Sequence, residues 1–264
     1  MDLQLNAKRA LVTGSTAGIG FAIASALAAE GAQVVLNGRT QVRVDEAVQR
    51  LKAAQPGAHA IGIAADLSTA AGVAQLLAAC PEVDVLINNL GIFAAVPFEA
   101  IDDSEWFRFF EVNVMSGVRL ARHYLPQMKA RNWGRIIFIS SESGVCPPAE
   151  MVHYGMTKSA QLSISRGLAE TCVGTRVTVN AVLPGPTNTE GVGGYLAEMA
   201  KQQNISFAQM EAELFAAARP TSILKRLIDP AEIASTVTYL CSPLSAATNG
   251  AAIHAEGGVI RSLL

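Results

Sequence analysis

The chain reads as an α/β protein built on one doubly wound parallel sheet with helices on both faces, and three observations predict this. Short apolar runs alternate with Ala-rich or amphipathic runs from residue 9 to residue 255, the order that builds successive βαβ units. No linker, repeat or low-complexity stretch interrupts the alternation, so residues 1–264 are expected to form a single domain. The first apolar run passes directly into a glycine-rich turn and a helix, the context in which such a turn can hold a phosphate.

The first strand is Ala10-Leu11-Val12. It is followed by Gly14-Ser15-Thr16-Ala17-Gly18-Ile19-Gly20 and an Ala-rich helix over 21–30 that Gly31 ends. Glycines let the backbone approach a pyrophosphate, and the helix N-terminus offers N–H donors and the positive end of its dipole. The spacing is G-x-x-x-G-x-G with no Lys after it, so it is not a P-loop. Val34-Val35-Leu36 is the second strand, and Asn37-Gly38 is a turn signal. No acidic residue stands at its end to hold a free ribose 2′-hydroxyl, whereas Arg39 does stand there. A guanidinium pairs with a 2′-phosphate, which favours NADP(H) over NAD(H).

Residues 41–54 place Val44, Ala47, Val48 and Leu51 at helical spacing, and 58–64 is the third strand. Ser68 is expected to cap the helix over 70–79, leaving Asp66 free to bond an adenine amino group. The strand over 83–87 ends in Asn88-Asn89-Leu90-Gly91, amides suited to backbone groups and equally to lining a cofactor site. Asn113 sits inside a long helical pattern over 102–130, where Asn is a poor residue. It either bonds backbone and distorts the helix or holds a water in a proton path.

Residues 134–141 form a buried strand ending in Ser140-Ser141, and the helix carrying Tyr154 runs to about residue 173. The strand over 177–182 leads into Pro184-Gly185-Pro186-Thr187-Asn188-Thr189. Residues 190–220 are irregular, with two short helical candidates. A helix over 230–241 has Pro near its start, and 250–255 is the last strand.

A formal charge of −2 gives no electrostatic case for nucleic acid or an anionic membrane. Residues 1–5 show no secretory pattern and no apolar run reaches membrane-spanning length, so a cytoplasmic location is expected. Cys80, Cys146, Cys172 and Cys241 form no C-x-x-C pair, and His59, His123, His153 and His254 lack ligand spacing. Reduced thiols and no metal are the expectation.

Tyr154 and Lys158 are four residues apart, one helical turn, and so share a face. A free phenol titrates near ~10, too high for efficient proton transfer at neutral pH. An ammonium one turn away favours the phenolate and lowers that value. The pair is thus a proton-transfer device suited to a carbonyl or an alcohol.

Taken together, the motifs resemble the short-chain dehydrogenase/reductase family across nearly the whole chain, in particular its NADP(H)-preferring members of the 3-oxoacyl-acyl-carrier-protein reductase type. The family's T-G-x-x-x-G-x-G is matched from Thr13 to Gly20, and its N-N-A-G by Asn88 to Gly91 with Leu90 in place of Ala. Its helix Asn is matched by Asn113, its Y-x-x-x-K by Tyr154 and Lys158, and its P-G-x-x-x-T by Pro184, Gly185 and Thr189. A serine thirteen residues before the tyrosine selects Ser141 over Ser140.

The resemblance implies a Rossmann fold and an oxidoreductase that moves a hydride between NADP(H) and a carbonyl or secondary alcohol. Tyr154 would be the general acid/base and Lys158 the residue that lowers its pKa and holds the nicotinamide ribose. Ser141 would bond the reacting oxygen, and Asn113 would carry the proton relay. Gly14, Ser15, Thr16, Gly18, Ile19 and Gly20 would meet the pyrophosphate side, and Arg39 with Ser15 the 2′-phosphate. Asp66 and Leu67 would meet the adenine, and Asn89 and Gly91 the ribose. Pro184, Gly185, Thr187 and Thr189 would lie at the nicotinamide. Glu142, Ser143 and His153 are given only solvated or capping duties.

Substrate contacts are expected from 92–98, 143–152 and a lid over about 186–220. The apolar residues there are Ile92, Phe93, Val145, Met151, Tyr195, Phe207 and Phe215. They suit a small-molecule ketone or alcohol. A 3-oxoacyl thioester reductase is the alternative, with Arg119, Arg122, Lys129 and Arg131 as a candidate docking face for an acyl carrier. A dinucleotide-binding sensor without chemistry is a third reading. The resemblance and the apolar end over 260–264 imply a homo-oligomer, a dimer or tetramer.

Overall fold

The structure, a computed structural model, describes residues 1–262. Among the described residues seven strands form one parallel sheet: β1 (Arg9–Val12), β2 (Gln33–Gly38), β3 (Ala60–Ala64), β4 (Val85–Asn88), β5 (Gly134–Ile139), β6 (Val177–Pro184) and β7 (Ala252–Ala255). Their order is β3-β2-β1-β4-β5-β6-β7. Sequence order runs outward from β1 in one direction and from β4 in the other. The crossovers on either side of that junction go to opposite faces and leave a crevice at the strands' C-terminal ends.

Both faces are covered, as buried parallel strands require. Side chains alternate across each strand, so Ala10 and Val12 of β1 enter one core while Leu11 enters the other. The first core lies beneath α1 (Gly18–Ala29), α2 (Gln41–Ala54) and α9 (Pro230–Cys241), through Ile23, Leu27, Leu51, Ile233 and Val237. The second lies beneath α3 (Ala70–Ala79), α5 (Ser116–Ala130) and α6 (Val152–Glu170), through Leu76, Leu120, Tyr124, Met128 and Ala169. Two further helices, α7 (Val192–Gln202) and α8 (Phe207–Ala217), pack on each other over Leu196, Ala200, Met210 and Phe215, a small separate core.

Three expectations change. The helix of 102–130 is α4 (Asp103–Phe110), a π-helical turn (Glu111–Met115) and α5, so Asn113 sits in a local widening of the helix. Asn37 and Gly38 are the last residues of β2 rather than a turn. The Asn37 amide donates to the Ile63 and Ala65 carbonyls, locking β2 to the end of β3. Thr69, not Ser68, caps α3 by accepting from the Gly72 N–H at 3.0 Å, while Asp66 Oδ1 is taken by the Ser68 hydroxyl and N–H. Among the described residues no helix is long and apolar enough to cross a membrane. Ile260 is already buried in the chain's own second core, so it is not left free for a subunit contact; Leu263 and Leu264 lie outside the described residues.

Candidate active site

The crevice is stitched together by the ends of β1 and β4. Thr13 Oγ1 donates to the Ile87 carbonyl and accepts from the Asn89 and Leu90 N–H groups, both at 2.9 Å. The Asn89 amide returns two hydrogen bonds, to the carbonyls of Thr13 and Gly14. Asn89 therefore fixes the glycine turn from beneath. Gly20 has to lack a side chain, because a Cβ there would stand 2.5 Å from Asn89 Nδ2 and 2.6 Å from the Gly14 oxygen. Gly18, with φ +55°, adopts the left-handed backbone that glycine accepts freely.

Helix α1 begins at this turn with neither a side-chain cap from Ala17 nor an acidic residue in its first turn. Its N–H groups are thus open to an anion from outside the helix. One carboxylate has reached it: Glu190 Oε2 accepts from the Gly18 N–H at 2.8 Å. The donor set fits a pyrophosphate by the same chemistry. Thr189 packs against Gly18, which brings the segment after β6 over the turn.

Several expected cofactor contacts have other duties. Ser15 is fully buried; its hydroxyl donates to the Val12 carbonyl at 2.7 Å and accepts from the Asn37 N–H, so it does not face a 2′-phosphate. Leu67 is a core side chain. Thr187 is buried and donates to the Gly185 carbonyl, while Pro184 and Gly185 lie inside the crevice wall, where a Cβ on Gly185 would strike the Glu256 backbone. Arg39 is exposed at the end of β2. Thr16 and Ile19 are half-buried at the turn, and the Thr16 carbonyl accepts from Arg50 Nη2 at 2.9 Å. Arg50, from α2, is a second basic residue beside the turn that sequence spacing did not reveal.

At the other end of the crevice, β5 delivers Ser141 and α6 delivers Tyr154 and Lys158. The π-helical turn places Asn113 between them and β4. Asn113 Oδ1 accepts from the Ile92 N–H at 2.8 Å, and its Nδ2 donates to the Ile92 carbonyl and to Thr157 Oγ1. Of the two roles expected for it, this is the backbone one. Its own carbonyl, released by the wide turn, accepts from Gln161 Nε2 at 2.6 Å. Gly91 closes the floor, since a Cβ there would lie 3.4 Å from Lys158 Nζ.

Lys158 is 4% exposed and donates to the Ile139 carbonyl at 2.9 Å and to Gln161 Oε1 at 3.3 Å. Loss of hydration pulls its pKa from 10.5 down to about 8, against a raising effect from Glu142. Its ammonium lies 5.5 Å from the centre of the Tyr154 ring. The phenol moves opposite to the sequence expectation: burial raises it, a hydrogen bond with Ser141 opposes that, Glu142 raises it further and Arg219 lowers it. The protein's own groups therefore hold Tyr154 as a neutral acid.

Glu142 and His153 are not solvated. His153 is fully buried, its ring 4.0 Å from that of Phe109 and 6.1 Å from that of Trp106, which anchors the first turn of α6 and with it Tyr154. Glu142 is buried beside Ser141 and Ser143; its Oε2 accepts from Ser141 Oγ at 2.5 Å, and its Oε1 accepts from Arg219 Nε at 3.0 Å. Of the expected pocket residues, Phe93 packs edge-on to Tyr154 at 6.4 Å and is exposed, as are Val145, Tyr195 and Phe207. Phe215 is instead core between α7 and α8.

Comparison with known proteins shows the family. The short chain dehydrogenase family model matches residues 8–200. The chain belongs to the short-chain dehydrogenase/reductase family, whose single Rossmann-like sheet is the one described above. It is 53% identical to the uncharacterized oxidoreductase YvaG of Bacillus subtilis, over the full length of both. It is 30% identical to the 3-oxoacyl-[acyl-carrier-protein] reductase FabG of Aquifex aeolicus, covering 98% of this chain and 100% of that one. L-sorbose reductase from Gluconobacter frateurii, solved in complex with NADPH and L-sorbose, superposes with a TM-score of 0.91 at 32% identity, covering 100% of each chain.

Proposed function

We propose that this oxidoreductase reduces a carbonyl to a secondary alcohol with NADP(H), with Tyr154 as the proton donor. The observation that carries the reading is the convergence of Ser141, Tyr154, Lys158 and Asn113 on one crevice edge, with the open N-terminus of α1 at the other. Bound NADPH supplies a hydride from its nicotinamide ring. The chain's residues hold and release the proton. Tyr154, kept neutral by burial, gives its proton to the carbonyl oxygen as charge develops there. Ser141 hydrogen-bonds that oxygen, and Lys158, at about 8, sits at a value suited to resupplying a proton near neutral pH. The Ile139 carbonyl and Gln161, itself bonded to the Asn113 carbonyl, hold the ammonium in place.

NADP(H) is supported by Arg39 at the end of β2 with no acidic residue beside it, by Arg50 at the turn, and by the NADPH-bound relative of like fold. A small ketone fits better than a carrier-borne thioester. Arg119 pairs with Glu111 at 2.6 Å, and Arg131 bonds the Trp133 and Val83 carbonyls, so two of the four residues of the candidate docking face are engaged within the chain. We include a dimer or tetramer in this reading, which light scattering at micromolar concentration checks.

The test is NADPH consumption against ketones, sugar ketones and 3-oxoacyl thioesters, with NADH in parallel, for the wild type and Tyr154→Phe. Turnover that prefers NADPH and disappears in the variant is the expected result. A Tyr154→Phe enzyme as active as wild type would remove Tyr154 as the proton donor, whereas cofactor binding with no turnover on any of these substrates would favour the binding protein without chemistry.

A further inference from the structure

We propose that Glu142, held by Arg219, is a positioning residue for the reaction: its carboxylate sets the direction of the Ser141 hydroxyl, and the ion pair joins the α7–α8 lid to the reacting end of the sheet. This rests on the oxidoreductase reading above. A carboxylate immediately after a strand-end serine is ordinarily solvated, but here its side chain is 6% exposed and that of Arg219 is 14% exposed. Burying such a pair is costly unless its hydrogen bonds are complete. Glu142 uses both oxygens, one on Ser141 and one on Arg219.

The serine has one proton and two lone pairs. Its proton goes to Glu142. One of its lone pairs accepts from the Ser143 N–H at 3.1 Å, and the hydroxyl lies within reach of the Tyr154 phenol. In this arrangement Ser141 turns its own proton to Glu142 and away from the crevice; turned to Tyr154 instead, it lowers the pKa of the phenol. A carbonyl oxygen entering beside Tyr154 needs that proton, so Glu142 and the substrate compete for it. Arg219 draws charge from Glu142 and so weakens its hold on Ser141. Arg219 follows α8 directly, and its Nη1 donates to the Ala218 carbonyl at the end of that helix, so the position of the lid is transmitted to the serine. Arg219 and Pro220 also line a cleft of about 430 Å³ with Cys146 and Pro148, the turn between Ser141 and Tyr154.

The charged and titratable groups around the phenol are Glu142 from the turn after β5, Arg219 from the lid and Lys158 from α6 itself. Glu142 and Arg219 act on Tyr154 with opposite signs. Their variants therefore separate positioning from mere packing. Reduction needs Tyr154 protonated and Lys158 able to resupply it, so the alkaline limb of kcat reports proton loss from the Tyr154–Lys158 pair, and Glu142 raises the pKa of both. Glu142→Gln should lower kcat about tenfold or more, leave NADPH affinity unchanged and move the alkaline limb to lower pH. Arg219→Gln should lower kcat and move that limb to higher pH, and Arg219→Lys should restore part of both.

Glu142→Asp keeps the charge but withdraws it by one methylene. It should lose kcat with the alkaline limb in place, and it carries the comparison if the amide variant fails to fold. Wild-type kcat in the Gln or Asp variant at Glu142, or limbs that move the same way in the Glu142 and Arg219 variants, overturns the proposal while Tyr154→Phe still tests the reaction itself.

Discussion

Replacing Lys158 by Met should leave an inactive protein that is at least as stable as the wild type at pH 7 and loses that advantage in alkali. The magnitude follows from one buried ammonium. Its pKa falls from 10.5 to about 8 on folding. Below pH 8 it is charged in both states, and the folded state carries the whole cost of its desolvation. Between 8 and 10.5 the unfolded chain binds more protons than the folded one, so stability rises with pH; above 10.5 the cost is gone. The interval of about 2.5 pH units, at about 1.36 kcal/mol each, amounts to about 3 kcal/mol. Met fills the same channel without charge but leaves the Ile139 carbonyl and Gln161 Oε1 without their donor, a loss of about 1–3 kcal/mol. The variant should therefore be between equal to wild type and about 2 kcal/mol more stable at pH 7. The difference between the two should move by about 2 kcal/mol toward the wild type by pH 10. Urea unfolding of the dinucleotide-free proteins at both pH values measures it, and groups common to both proteins cancel in the difference. A difference that stays flat between pH 7 and 10 would refute the reasoning, because it would mean that Lys158 is hydrated in the native state.

Three further outcomes are expected at the cofactor end. Arg39→Asp should shift the kcat/KM ratio of NADPH to NADH toward NADH by about ten- to a hundredfold, the worth of a charge-assisted hydrogen bond; an unchanged ratio would make Arg39 a plain surface residue. Glu190→Gln removes a negative charge from the N-terminus of α1 and should tighten NADPH binding about two- to fivefold in a fluorescence titration, whereas an unchanged Kd would show that the carboxylate does not compete. Gly20→Ala forces a methyl into the Asn89 amide and the Gly14 carbonyl, so it should cost about 1–3 kcal/mol of stability and weaken NADPH binding; a normal Tm and Kd would disprove the close approach.

The sheet and the shared face of Tyr154 and Lys158 were legible because each is written locally. Alternating apolar strands and periodic helices need only near neighbours to be read, and Tyr154 and Lys158 share a face by helical geometry alone. What sequence reasoning missed depends on distant chain. Ser15 stands in the glycine turn and reads as a phosphate contact, yet Asn37 and Val12 consume its hydroxyl. Glu142 reads as solvent-facing until Arg219, 77 residues away, is brought against it. Asn113 was singled out because it is a poor helix residue. Of its two possible roles the backbone one is what the structure shows, since the π-helical turn and Gln161 are tertiary facts.

The sign of the Tyr154 shift has the same origin. Spacing puts an ammonium one turn away and suggests an acidified phenol, but spacing says nothing of burial or of where the ammonium points. Lys158 is turned to the Ile139 carbonyl and Gln161, and loss of hydration outweighs its attraction for a phenolate. In water such a group would relax; here it is locked between β5, α6 and the π-helical turn, the first two held by the second hydrophobic core. The stability spent on a buried lysine and a buried Glu–Arg pair is the ordinary signature of a site shaped for chemistry rather than for folding. The Ile139 and Ile92 carbonyls that receive Lys158 and the Asn113 amide cannot move away, and so these side chains keep one arrangement.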